Sequence, residues 1–194
     1  MAKSDRRIKK TREAIHQALI ALMAEKSFEH ITINHISEKA DLNRGTIYLH
    51  FADKYDLLDQ CMQARLDAMA TFCTLSRPGE EDTDIARSLL PMFRYFEEHY
   101  AFFSSMLADK GITCFRERLI HMVQNGLIER LLTEASNREA RDEVAVQFMA
   151  SAYVGVVEWW IKHRMPLSPE VMAGKLWDML ELHYAAIRLS STPG

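Results

Sequence analysis

Within RGTIYLHF, residues 44–51, Arg44, Thr46, Tyr48 and His50 place a guanidinium, a hydroxyl, a phenol and an imidazole at alternate positions. Such groups hydrogen-bond phosphates and base edges, and Gly45 among them lets the backbone itself come close to a ligand. Nothing comparable supports catalysis: there is no nucleophile elbow, P-loop, HExxH or clear carboxylate pair. Cys61, Cys73 and Cys114 have neither CxxC nor zinc spacing, so reduced and mostly buried thiols are expected, with no metal and no cofactor.

Whether RGTIYLHF can present those groups depends on its conformation. Ile47, Tyr48 and Phe51 favour strands, and the segment nearly alternates apolar and polar residues. Asn43, directly before it, is a strong N-cap and announces a helix. On a helical wheel Ile47 and Phe51 meet one turn apart and can face a core. Gly45, Thr46, Leu49 and His50 fall on the opposite side, with Arg44 and Tyr48 stacked along the border.

The elements ahead of it fit. An apolar stripe of Ile15, Leu19 and Leu22, with Ile8 two turns earlier, predicts a helix over about 6–26. Thr32 should cap a short helix over 33–40, followed by a turn at Asp41-Leu42-Asn43 in which Asp41 tolerates positive φ. Helix, short helix, turn, short helix is the helix-turn-helix arrangement. Asp53 should cap a further helix over 54–74, with Tyr55, Leu58, Met62, Leu66 and Met69 as its apolar side.

Charge supports a nucleic-acid partner only when it is divided along the chain. The net charge of the 194 residues is −3, but residues 1–54 hold 10 Lys+Arg against 7 Asp+Glu, while residues 55–194 hold 14 against 20. A basic head on an acidic body is the asymmetry of a DNA-binding domain with a neutral or acidic remainder. No apolar run approaches the roughly 18–20 residues of a membrane span and the N-terminus lacks a signal-peptide core, so a soluble cytoplasmic protein without a membrane partner is expected.

Beyond a linker read at SRPGEEDTD, residues 76–84, helices are expected at about 84–98, 100–108, 113–135, 138–164 and 169–188, with Pro91 kinking the first or marking its start. The fold class is all-α with about nine helices. A three-helix head at 1–52 precedes a larger helical body at 53–194.

The run ITINHISEKADLNRGTIYLHFADKYDLL resembles the DNA-binding domain of the TetR family of bacterial transcriptional repressors over about thirty residues. Ser37, Asp41 and Asn43 depart from the family's usual Ala, Gly and Ser; the last keeps capping chemistry and the second keeps turn chemistry. The resemblance implies that Thr32, Tyr48, His50 and Lys54 contact phosphates and that Arg44, Gly45 and Thr46 reach base edges, with Asn43 at the start of the reading helix. Arg44 either bridges a guanine, worth roughly 1–3 kcal/mol of discrimination, or contacts a phosphate. Lys54 is either a phosphate contact or a solvated helix-start lysine. The basic segment ahead of the first helix would add salt-dependent affinity and a minor-groove arm. The stretch GVVEWWIKHRMPLSPEVMAGKLW is similar to one branch of the same family.

The resemblance further implies a homodimer and a small-molecule sensor. In the penultimate helix Ser151, Ala152 and Gly155 allow close approach, with Phe148, Trp159 and Ile161 around them. The last helix has two apolar sides, Met172, Leu176 and Met179 on one and Trp177, Leu180 and Tyr184 on the other. One side is expected to meet a second copy; the alternative is a central helix buried in a monomer. Phe93, Phe96, Phe103, Met106, Phe115 and Met122, with His99 and His121 as polar handles, suit an apolar ligand or simply fill a core. Glu158 is a surface charge, an interface partner or a ligand contact. The expected function is a dimeric repressor of a palindromic operator, released by a ligand, against an activator or adaptor acting through a protein partner. Ligand, operator and sign of regulation do not follow from the sequence.

Overall fold

The computed structural model describes residues 2–74, 86–108, 113–134 and 143–190. The linker at 76–84, the breaks expected at 109–111 and 136–137, and residues 191–194 of the tail lie outside the described residues. Nine α-helices and no strand are found among those described: α1 (Ala2–Glu25), α2 (Ile33–Ala40), α3 (Arg44–Tyr48), α4 (Lys54–Thr74), α5 (Ala86–Glu98), α6 (Tyr100–Ala108), α7 (Thr113–Glu134), α8 (Glu143–Lys162) and α9 (Pro169–Ser190), with a 3-10 turn at Phe28–His30. The chain groups into two compact units, one of Met1–Arg65 with Ala101–Thr113, the other of Leu66–Tyr100 with Cys114–Gly194.

In the first unit, α1 packs on α2 and α2 on α3. Ile15, Leu19, Ile36, Ile47 and Phe51 are all buried at its centre, as the periodicity requires. Ile8 departs from the expected stripe and is exposed, as is Tyr55 at the start of α4, whereas Leu58 and Met62 are buried. Local chemistry sets the helix ends. Thr32 Oγ1 accepts from the His35 N–H at 3.3 Å while the Thr32 N–H donates to His35 Nδ1 at 3.3 Å, a reciprocal capping box. Asp53 Oδ1 accepts from the Tyr55 and Asp56 N–H groups, both at 2.8 Å, and Asp56 Oδ2 accepts from Ala52 N–H.

Between α2 and α3, Asp41 adopts φ 53° and ψ 47°, the left-handed conformation that ends α2. A side chain there is strained, and glycine is not. Asp41→Gly should therefore stabilise the head by about 0.5–1 kcal/mol, seen as a higher urea midpoint at unchanged denaturant slope; a lower midpoint would contradict it.

In the second unit α5 and α8 pack on α9. Phe93 lies edge-on to Trp160 with ring centroids 5.2 Å apart, and Phe96 and Tyr153 are within 6.4 Å of it. Pro91 lies inside α5, not at its start. The α8–α9 connection is a tight reversal: Arg164 and Met165 both have positive φ, and Trp160 Nε1 donates to Leu167 O at 2.9 Å. Ser168 Oγ then accepts from the Val171 N–H, with Pro169 at the first position of α9.

The sequence reading of apolar runs needs one correction. Helix α8 is 20 residues long and apolar enough by composition to cross a membrane. Part of that apolarity is accounted for inside the unit, where Val146, Ala150, Val154, Val157, Trp160 and Ile161 are buried.

Candidate nucleic-acid interface

Helix α3 has five residues, too few to be stable alone. Two contacts hold it. Asn43 Oδ1 accepts from the Gly45 N–H at 2.8 Å at its start, and Ile47 and Phe51 are 0% and 1% exposed behind it. The apolar anchors are thus the inward half of the near-alternation, and the outward half is free to face a partner.

Outside, Arg44 and Tyr48 are exposed and touch one another. The Arg44 guanidinium donates to Tyr48 Oη at 3.0 Å and lies 5.4 Å from the ring centroid. Gly45 is exposed, and Thr46 and His50 are half-buried. Thr32 is exposed; its oxygen accepts the capping bond, and its O–H remains available as a donor. Leu49, to which the sequence assigned no role, is 82% exposed. A search for polar contact groups misses it, and the only signal was its place on the outward side of the wheel.

Lys54 does not project into solvent as a helix-start lysine. Its ammonium donates to three backbone carbonyls, Phe28 O at 3.1 Å, Glu29 O at 2.9 Å and Ile31 O at 2.9 Å, and sits 4.8 Å from the Phe28 ring centroid and 5.3 Å from that of Tyr55. It ties the 3-10 turn and the approach to α2 onto the start of α4.

The basic segment is not an extended arm among the described residues, because α1 runs from Ala2. Arg6, Arg7, Lys9 and Lys10 are exposed on it, while Arg12 turns inward, donating to Gln60 Oε1 at 2.5 Å and lying 5.0 Å from the Phe51 ring centroid. His16 is buried 5.6 Å from the same ring, and its Nε2 has no hydrogen-bond partner among the described residues. Burial holds its pKa below the ordinary value; Glu13 opposes the shift, and Arg12 and Arg65 add to it.

The remaining candidates divide differently from the sequence reading. Phe103 and Met106 are buried in the first unit; Phe93, Phe96 and Phe115 are buried in the second, where His99 and Met122 are half-buried and His121 is exposed. Phe148 and Trp159 are exposed on α8, with Ser151, Ala152 and Gly155 half-buried between them, but Ile161 is fully buried. On α9, Met172 and Leu176 are each 3% exposed and belong to the unit's own core, which corrects their assignment to an interface; Met179 is exposed and Leu180 half-buried. The Tyr184 side chain lies outside the described residues.

Glu158 is a surface ion-pair centre, accepting from Arg116 Nε at 3.1 Å and Lys162 Nζ at 2.6 Å. Burial pulls its pKa up, and the bonds from Lys162 and Arg116 outweigh that and hold it below the ordinary value. Cys61 is buried, which pushes its thiol up to about 12, and Cys114 is exposed; the Cys73 side chain is outside the described residues.

Comparison with known proteins gives two family matches: residues 15–61 match bacterial regulatory proteins of the tetR family, and residues 83–182 match a transcriptional regulator C-terminal region. An uncharacterized HTH-type transcriptional regulator of Bacillus subtilis, YxbF, is 24% identical over 174 residues, covering 86% of this chain and 43% of the relative. An HTH-type transcriptional regulator of Staphylococcus aureus strain USA300 is 35% identical over 63 residues, covering 32% of this chain and 34% of the relative. The chain thus spans less than half the length of these curated relatives. Among solved structures, a TetR transcriptional regulator from Streptococcus agalactiae has a TM-score of 0.65 at 23% identity, covering 92% of this chain and 97% of its own. The dihydroxyacetone kinase operon activator DhaS has a TM-score of 0.66 at 18% identity, with the same coverages of 92% and 97%. At these identities the likeness is one of fold.

Proposed function

The chain belongs to the TetR family of bacterial transcriptional regulators, and from that premise we propose that it acts as a cytoplasmic homodimeric repressor of a palindromic operator, released by a small-molecule ligand. The observation that carries the reading is the capped, doubly anchored helix α3 with Arg44, Gly45, Thr46 and Tyr48 on its outward side. Residues 1–52 read DNA, and residues 53–194 dimerise and sense the ligand. No catalytic activity is assigned.

In this reading α3 enters the major groove, Thr32, Tyr48 and His50 position the head on phosphates, and Arg44 leaves Tyr48 to reach a base. The Asn43 side-chain oxygen Oδ1 is held by the capping bond from the Gly45 N–H, so Asn43 sets the angle of α3. Lys54 acts through the turn it holds. Dimerisation uses the α8 stripe of Phe148, Ser151, Ala152, Gly155 and Trp159 with Met179 and Leu180 of α9. A ligand favouring a body conformation in which the two heads no longer match the half-site spacing would lower operator affinity. Within the second unit Phe93, Phe96, His99, Phe115 and Met122 are its candidate contacts, which makes the ligand apolar or aromatic.

A second sign of regulation is supported by the likeness to DhaS, which is named as an operon activator; for this chain the alternative is activation, or an adaptor role, through a protein partner. Binding to duplexes with two half-sites roughly 34–36 Å apart, or a multiple of that, tests the reading. The absence of binding at low salt would overturn it, and transcription from the bound promoter separates repression from activation. Arg44→Ala should flatten preference at one base pair per half-site by about 1–3 kcal/mol while leaving the melting temperature unchanged, measured by anisotropy on a base-substituted series.

A further inference from the structure

Leu49 has the highest exposure of any large apolar side chain among the described residues, 82%, and it lies in the middle of the surface assigned to DNA. It caps α3 in helical geometry, φ −69° and ψ −20°, with its N–H bonded to Gly45 O at 3.2 Å. A helical side chain leans toward the N-terminus, over the turn that precedes it. The residue one turn before Leu49 is Gly45, where an added Cβ would meet only Asn43 Oδ1, at 3.3 Å. The isobutyl group therefore leans toward the bare backbone at Gly45.

Leu49 has no polar atom for a phosphate. The one apolar group that base edges present in the major groove is the thymine C5-methyl. We propose that Leu49 is a specificity residue that seats a thymine methyl against Gly45, next to the base pair read by Arg44. The inference rests on the reading of α3 as the groove-facing helix. Leu49 discriminates by desolvating a methyl, whereas Arg44 discriminates by hydrogen bonds.

The test uses duplexes selected by the wild-type protein from a random library, each thymine then replaced singly by deoxyuridine. That change removes the methyl and leaves the hydrogen-bonding pattern intact. Burial of one methyl predicts about three- to tenfold weaker binding at one position per half-site. Leu49→Ala should bind the thymine and deoxyuridine duplexes equally at that position, keep the penalties at other thymines, and keep the salt dependence and melting temperature of the wild type. A penalty that persists in Leu49→Ala, or a loss equal on every duplex, overturns the role of Leu49 alone, and the latter points to a general packing surface or one for a protein. Failure of the wild-type protein to select any duplex overturns both this inference and the reading of α3.

Discussion

Phe51→Ala should lower the stability of the head by about 3–5 kcal/mol and abolish specific DNA binding, although every outward-facing residue of α3 is retained. Phe51 is 1% exposed and is the meeting point of three groups: Arg12 lies 5.0 Å from its ring centroid, and His16 and His50 lie at 5.6 Å and 6.3 Å. Removing the ring leaves a cavity, deprives Arg12 of its stacking surface and frees one of the two anchors of a five-residue helix. Such a helix has no stability of its own and loses its orientation with its anchor. Urea unfolding followed by resonances of the head, together with operator anisotropy, measures both effects. Phe51→Leu, which keeps most of the volume, should be much milder. A wild-type midpoint in the alanine variant would refute the anchoring role.

Lys54→Met should cost about 2–3 kcal/mol of stability and weaken DNA binding without changing its salt dependence. The ammonium satisfies three carbonyls around the 3-10 turn, and methionine fills the volume but donates nothing. Arginine should not rescue, because its planar fork cannot converge on three carbonyls as an ammonium does. A lysine that contacted a phosphate would behave oppositely: stability would be untouched, and the slope of log K against log salt would fall in magnitude by about 0.9. Measuring both quantities on one variant therefore decides between the two roles, and an altered slope at unaltered stability would reject the structural one.

Lys54 also shows where reading by pattern ends. Its match to the family motif locates it correctly at the start of α4, but the carbonyls it serves belong to residues 28–31, more than twenty positions earlier. Nothing near Lys54 in the chain announces them. Leu49 is the converse case, a residue that looks like core by type and stands in solvent because Ile47 and Phe51 already fill the inward face of α3.

The sequence by itself determined the all-helical class, the helix-turn-helix order and most helix ends, because those follow from short-range chemistry. Thr32, Asp41, Asn43 and Asp53 act on backbone groups within a few residues of themselves, and the periodicity of α1 and α3 names its own buried face. Tertiary structure alone decided how much of each apolar side a helix buries in its own chain. Helix α9 carries two such sides, and packing against α5 and α8 took Met172 and Leu176 of one side inward while leaving Met179 of the same side exposed and Trp177 and Leu180 of the other half-buried. It likewise placed Ile161 inside, Cys114 outside and Glu158 between Arg116 and Lys162. The physical reason is the same in each case: burial and charge pairing depend on residues far away in the chain, whereas capping and turn formation do not.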